Sequence, residues 1–383
     1  MRVALFTGLD PRRYSGETVY VLRVLRALRE LGCDVAVYMA EMSDAHYADQ
    51  KEWLDDFSIA GVSYVALSTK STAMSMCHTV YRLIREAKRQ GPWNAVLYRL
   101  GYFQTVALLR RSMFPAATLV WLHDGIVEEI TFRHPDLHHR FIERIFSALE
   151  FVGSRFADWE IPVSNAMQEY SVSKGYKPRL GYHVVPCVVE TDRFVPSFRD
   201  TLNLPRVTFG FAGSLSPWQG FETACAYLAT IQDTGIVVQL NVLTPRVVQA
   251  RAIMEQFGLA GVVKSVPHVC VPEEMNQWDF ALSTQTGGVI TQVCSPLKIT
   301  EALAKGIPLV LTPDVGDFSR MIHEKRIGMV IHPECCEQWK GTVHQIREIS
   351  QDYRRVQERA RKLAEEMYSV ERMLKVLRAV LSD

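Results

Sequence analysis

Phe209-Gly210-Phe211-Ala212-Gly213-Ser214-Leu215-Ser216-Pro217-Trp218-Gln219-Gly220-Phe221-Glu222 reads as an apolar run, a turn of Gly, Ser and Pro, and the first residues of a helix. Extended back to Val207, the run predicts a strand over 207–212 covered on both faces, because such strands are apolar at consecutive positions. Gly213 and Ser214 then stand at the strand's carboxyl end, where α/β sheets bind ligands and where a phosphate can approach backbone. Glycine is also ordinary turn chemistry, so the segment does not decide its own function.

Working outward, the same alternation repeats. Strands are expected downstream over 237–243, 262–267, 280–283, 308–311 and 329–331, and upstream over 2–6, 34–39, 63–67, 95–98, 118–122 and 160–163, with helical periodicity between them. Glu17 to Leu31 is a helix with an apolar stripe of Val21, Leu22, Leu25, Leu28 and Leu31, with Arg23, Arg26 and Arg29 off the stripe and Gly32 as its stop. Pro178, Pro186 and Pro196 mark a stretch of weak periodicity, which places a domain boundary near residue 183. A chain of 383 residues suits two such domains. From Glu334 onward it is helical and charge-rich, with most charges expected on solvated faces.

Composition narrows the classes. Hydrophobic residues at 48% and charged residues at 22% describe a globular protein, and 43 Lys plus Arg against 42 Asp plus Glu give no excess to hold a nucleic acid. The apolar start is too short for a signal peptide and no run of about 18 apolar residues occurs, so a cytoplasmic location is expected. The eight cysteines lack metal-ligand spacing and are expected to be reduced and mostly buried. No Asp-x-Asp occurs to hold a metal, which leaves phosphate charge to Lys, Arg and helix N-termini. Dinucleotide, P-loop and nucleophile-elbow glycine motifs are also missing, against an oxidoreductase, a P-loop kinase and an α/β-hydrolase.

Ser295 to Gly306 carries the clearest local signal: Ser295 as N-cap, Pro296 at the first helical position and Gly306 past the end. Within it Lys298 breaks a rule, since a cation in the first turn opposes the helix dipole by about 0.3 to 1 kcal/mol. An anion such as a diphosphate would reverse that penalty; a solvated Lys298 paired with Glu301 is the plainer alternative. His123, in Trp121-Leu122-His123-Asp124-Gly125, ends the fifth strand and is expected to face an interdomain cleft, or else to be hydrogen-bonded locally.

Taken in order, these segments resemble glycosyltransferase family 4. Ser15-Gly16 resembles its glycine loop, and Ala157-Asp158 leading to Val163-Ser164 its sixth-strand signature. Val185-Pro186-Cys187-Val188-Val189-Glu190-Thr191-Asp192-Arg193-Phe194 is similar to its Val-Pro-Asn-Gly-Val-Asp-x-x-x-Phe segment. Gly213-Ser214-Leu215 with Trp218-Gln219-Gly220 resembles its Gly-x-Leu-x-x-x-Lys-Gly turn, and the stretch from Ser295 to Pro308 its Pro-x-Lys-x-x-Glu-Ala-x-Ala-x-Gly-x-Pro. The chain departs from the pattern at Val293, where the family's first paired glutamate would stand, and at Gln219, where its diphosphate lysine would stand.

The resemblance implies an α/β GT-B fold of two Rossmann-like parallel-sheet domains facing across a cleft. An acceptor domain would span residues 1–182, a donor-nucleotide domain 183–365, and a last helix over 366–383 would cross back. It implies transfer from a UDP- or GDP-linked sugar, with retention, without metal or cofactor, to a glycan, lipid-linked or small-molecule acceptor. His123 would act on the transferred sugar and Glu301 on the donor ribose or sugar. Lys298 would meet the diphosphate beside Gly213, Ser214 and Gln219, and Gly16 would form the phosphate or acceptor edge. Basic segments at 81–89 and Arg110-Arg111 permit peripheral contact with the inner face of an anionic membrane, or are solvated helix faces. Two rival readings are a GT-B sugar-nucleotide epimerase and a catalytically silent partner subunit.

Overall fold

The computed structural model describes residues 1–8, 16–42, 61–69, 73–99, 103–125 and 137–382. The chain divides into two compact units, Met1–Val188 together with Val370–Asp383, and Val189–Ser369. Val185 and Val188 are buried in the first unit's core, so that unit reaches a few residues past position 183.

In the first unit a seven-stranded sheet runs β3-β2-β1-β4-β5-β6-β7. Its strands are β1 (Arg2–Thr7), β2 (Asp34–Met42), β3 (Val62–Thr69), β4 (Ala95–Arg99), β5 (Thr118–His123), β6 (Trp159–Pro162) and β7 (Gly181–Tyr182). All neighbouring pairs are parallel. Along β1 the side chains divide by parity: Val3 and Leu5 enter one core cluster and Ala4 and Phe6 another. This two-sided burial is why the strands read as unbroken apolar runs. The two-residue β7 had no such run to announce it.

Helix α1 (Gly16–Glu30) covers the first of those faces with Val21, Leu22, Leu25 and Leu28 buried. Against it packs the chain's last helix, which returns to this unit and contributes Met373, Leu377 and Val380 to the same core. The sequence put Arg23 off the stripe, yet it is buried, and its guanidinium donates to the Val188 carbonyl. A wide apolar face leaves room for one cation if a backbone acceptor meets it. The opposite face is covered by α2 (Ala73–Gln90), α3 (Gln104–Leu108) and α4 (Arg110–Met113) through Val80, Leu83, Ile84, Val106 and Met113, with Phe114 just past α4. Exposed on α2 are Tyr81, Arg82, Arg85, Lys88 and Arg89. Arg110 is not a solvated charge, because it pairs with buried Asp158 at 2.6 Å; the Arg111 side chain lies outside the described residues.

In the second unit a six-stranded sheet runs β10-β9-β8-β11-β12-β13, again all parallel. The strands are β8 (Arg206–Ala212), β9 (Val237–Leu243), β10 (Gly261–Lys264), β11 (Phe280–Ser283), β12 (Leu309–Leu311) and β13 (Gly328–Val330). β10 ends three residues before the expected Pro267, which instead precedes a 3-10 turn over His268–Cys270. Both sheets reverse their order of addition beside their first strand, between β1 and β4 and between β8 and β11. Such switch points open a crevice outside the carboxyl ends of the strands.

The chain enters and leaves the second unit side by side: Val189 N–H donates to the Tyr368 carbonyl at 2.7 Å. Nearby, the helix over Tyr353–Met367 carries an arginine that is not on a solvated face. Arg361 Nη1 donates to the carbonyls of Thr191, Phe194 and Ala304 at 2.8 to 2.9 Å. Cysteines were expected mostly buried, but only Cys33, Cys225 and Cys294 are; Cys77, Cys270 and Cys336 are exposed, and all eight are free thiols. No helix among the described residues is long and apolar enough to cross a membrane.

Replacing Arg361 by Leu strands three carbonyls at once. With charged hydrogen bonds contributing about 1.5 to 3 kcal/mol and unsatisfied buried groups costing about 1 to 3, a loss of roughly 2 to 4 kcal/mol is expected in urea denaturation. An unchanged midpoint would mean that these contacts do not hold the chain's entry and exit together.

Candidate functional site

At the switch point of the second sheet, β8 ends in Ala212 and the chain turns through Gly213 to Gly220 into the helix Phe221–Gln232. Two glycines are required by geometry. Gly213 has φ 140° and Gly220 φ 64°, both on the side of backbone space that other residues avoid. At Gly220 a Cβ would also stand 1.7 Å from the Thr284 carbonyl oxygen, because the turn lies against the chain leaving β11. Thr284 Oγ1 donates to the Gly220 carbonyl at 2.7 Å and Thr286 N–H to the Trp218 carbonyl at 2.9 Å. These bonds fix the short 3-10 turn Pro217–Gln219 and with it the Gln219 side chain.

Into this corner comes Lys298, from the helix Leu297–Ala304. That helix begins one residue later than the sequence suggested: Pro296 is its N-cap, with extended backbone and no side-chain cap bond, and Ser295 lies outside it. A proline ring fixes φ but leaves ψ open, and here ψ is 121°, which ends the helix ahead of it. Gly306 follows the helix with φ 69°, as a left-handed terminating residue.

Lys298 Nζ donates to Gln219 Oε1 at 2.6 Å and lies 4.6 Å from the centre of the Phe211 ring. Both neighbours favour the charged ammonium, yet both are neutral. Burial, the largest influence, pushes the ammonium from its ordinary 10.5 down to about 7, with Cys294 pulling the other way. Among the described residues Lys298 forms no ion pair. The weak surface pair with Glu301 that the sequence allowed does not form. The residue at position 219 thus orients the lysine rather than duplicating its charge.

Gly213 lies beside this pair, where a Cβ would be 3.8 Å from Gln219 Oε1 and 3.9 Å from Lys298 Nζ. Its N–H is already bonded to the Leu243 carbonyl at 3.0 Å, so what it offers a ligand is close approach and not a donor. Ser214 Oγ is 3.1 Å from Ser216 Oγ. Glu301, one helical turn beyond Lys298, is buried, and its Oε1 accepts from His268 Nε2 at 2.7 Å. His268 was not singled out in the sequence, where nothing ties it to Glu301. Val293 is buried in the short helix Val289–Val293.

The first unit holds the other two candidates. Gly16 opens α1 immediately after residues outside the described set, so its phosphate-edge role is untouched by the geometry. His123 ends β5 beside the pairing of β5 with β6, and is 3% exposed. Its Nδ1 lies 2.8 Å from Glu160 Oε1 and 3.1 Å from Ser171 Oγ, and Ser171 itself donates to Glu160 at 2.6 Å. The ring stacks on Trp121 at 4.0 Å. Because a carboxylate only accepts, Nδ1 carries the hydrogen, which fixes ring orientation and tautomer. Glu160 was legible only as a charge within a buried strand. Ser164 caps the helix Asn165–Ser173 by accepting from Met167 N–H at 2.9 Å.

No family model matches the chain, and no curated protein matches it in sequence. Its fold, by contrast, is shared along its whole length. Sucrose-phosphate synthase from Thermosynechococcus elongatus is similar with a TM-score of 0.74 at 13% identity, covering 100% of this chain and 99% of that one. HepE of Anabaena, solved in complex with UDP-glucose, is similar with a TM-score of 0.72 at 15% identity and the same coverage. WaaG, a glycosyltransferase involved in lipopolysaccharide biosynthesis, gives 0.70 at 14% identity, covering 98% of this chain and 99% of that one. The chain has the GT-B fold: two parallel α/β sheets with their helices.

The lysine predicts a pH dependence without any ligand. Its folded value of about 7 lies below the unfolded one, so between about pH 7 and 10.5 the unfolded chain binds more protons and stability rises with pH. Relative to Lys298→Met, the native chain should gain up to about 1.4 kcal/mol per pH unit above about pH 7. Parallel stability curves for the two proteins between pH 6.5 and 9 would show that the ammonium is not desolvated.

Proposed function

We propose that this chain is a nucleotide-sugar-dependent glycosyltransferase, and that its second unit binds the donor. The observation that carries the reading is the half-buried ammonium of Lys298. It stands among neutral partners at the carboxyl edge of the sheet, beside a glycine that admits close approach. A diphosphate supplies the missing counter-charge, and the crevice at the switch point is where such a fold takes a nucleotide. HepE, similar along its whole length, has been solved with UDP-glucose, with UDP, and with UDP and glucose.

In this reading Lys298 neutralises the diphosphate, Gln219 holds the lysine in place, and Gly213 and Ser214 let the phosphates approach. Glu301 accepts hydrogen bonds from donor hydroxyls. His123, oriented by Glu160, acts at the transferred sugar, and Gly16 forms the phosphate or acceptor edge. The family resemblance supports UDP or GDP as the nucleotide, a glycan, lipid-linked or small-molecule acceptor, and retention at the anomeric carbon. It also supports transfer without metal, since the lysine does the neutralising. The exposed cations of α2 around Tyr81 suit peripheral contact with an anionic membrane carrying the acceptor.

Lys298→Ala removes a charge-assisted contact of about 1.5 to 3 kcal/mol, so affinity for the best nucleotide sugar should fall about 10- to 150-fold. Turnover should persist in excess EDTA, and the product should be a glycoside rather than an altered sugar nucleotide. Unchanged affinity in Lys298→Ala, measured by calorimetry, contradicts the placement of the donor. Conversion of a sugar nucleotide alone would instead identify an epimerase.

A further inference from the structure

In the first unit the helix Leu137–Ser154 turns an apolar stripe outward. Toward its own unit it presents small and polar groups. Gly153 lies so close to Gln104 of α3 that no Cβ would fit, and Glu150, buried, accepts from the Tyr176 hydroxyl at 3.0 Å. Ser154 Oγ accepts from Lys177 N–H at 3.1 Å. Toward solvent stand Ile145, Ala148, Val152 and Arg155, three or four residues apart and so on one face, with Arg144 and Phe151 beside them.

The apolar surface continues past the helix. The Arg155 guanidinium lies 3.7 Å from the centre of the Phe151 ring, and a Cβ on Gly175 would be 3.3 Å from that ring. Gly175 N–H donates to the Val172 carbonyl at 3.0 Å, and Leu180 N–H to the Asp158 carbonyl at 2.8 Å, which brings Val172, Phe156 and Leu180 to the same corner. Six of the fifteen large apolar side chains exposed among the described residues fall between positions 145 and 180, each 37 to 58% exposed. Single exposed apolar residues need no explanation, but a cluster marks an interaction surface.

Charge decides the partner. Between positions 144 and 182 the exposed cations are Arg144, Arg155, Lys174, Lys177 and Arg179, and the one exposed carboxylate is Glu169. Asp158 is buried, paired with Arg110 at 2.6 Å and Arg179 at 2.7 Å. A second copy laid on this patch by a two-fold axis would set cation against cation. Apolar side chains ringed by cations match an anionic lipid surface, where the apolar groups enter the headgroup boundary and Lys and Arg reach the phosphates.

We infer that the outward face of the helix Leu137–Ser154, together with Phe156, Val172 and Leu180, docks the chain on an anionic lipid surface. It rests on the reading of an anionic membrane as a partner, but neither on α2 nor on the donor site.

The test is cosedimentation with phosphatidylglycerol vesicles and with phosphatidylcholine vesicles, with melting curves and size-exclusion chromatography of each protein beside it. The native chain is compared with Phe151→Ser plus Phe156→Ser, with Lys174→Glu plus Lys177→Glu, and with Arg82→Gln plus Arg85→Gln on α2. All six positions are exposed, so the melting curves should coincide. The native chain should bind phosphatidylglycerol and not phosphatidylcholine. The lysine pair should lower that affinity about 30-fold or more and the phenylalanine pair about tenfold or more, both exceeding the effect of the α2 pair. Binding lost in the α2 pair and kept in both others overturns the inference and leaves the membrane reading standing. A native chain that binds neither vesicle overturns both. A native dimer that the phenylalanine pair dissolves assigns the patch to a second copy and overturns the inference.

Discussion

A lysine ammonium enclosed beside neutral groups costs free energy, and the contacts around Lys298 offset only part of that cost. An amide oxygen at 2.6 Å and an aromatic face are the partners a cation accepts when no carboxylate is present. Burial still outweighs them, as the depressed ammonium shows. Natural sequences tend to break local rules at functional sites. The remainder of the second unit can be read as the apparatus that keeps this one cation where it is. The sheet order opens the crevice, Gly220 lets the turn lie against the chain leaving β11, and that turn sets Gln219.

The second unit repeats the strand order of the first, yet the two carry different chemistry. The first holds a histidine whose tautomer is fixed by a buried carboxylate and a serine hydroxyl. The second holds a cation, with a carboxylate one turn further along its helix that is steadied by a histidine of its own. Each unit is closed at its margins by arginines that donate to backbone carbonyls: Arg23 to Val188 in the first, and Arg361 to three carbonyls in the second. These two arginines sit where the chain passes from one unit to the other.

Most of the fold was legible because parallel strands leave an apolar run at each pass, and every run of that kind proved to be a strand. What escaped was whatever has no local trace. The strand Gly181–Tyr182 is too short to show a pattern. Buried arginines look like surface arginines when their partners are carbonyls, which every residue possesses. Lys298 stood out because it breaks the dipole rule within its own helix. Its partner Gln219, 79 residues away, reads in the sequence only as a missing charge, because the contact depends on the fold. His268 and Glu301, 33 residues apart, are joined only by the path of the chain after β10. The Lys298 helix starts one residue later than the sequence pattern suggests, because a serine before a proline also satisfies the capping pattern.

Side-chain nitrogen NMR of the Lys298 ammonium, titrated in the free chain and again with a saturating nucleoside diphosphate, measures directly whether the lysine is held desolvated for an anion to complete, as proposed. A titration near 7 is expected in the free chain, moving upward by about two units or more when the diphosphate binds. A lysine that titrates at its ordinary 10.5 and does not respond to the nucleotide would contradict it.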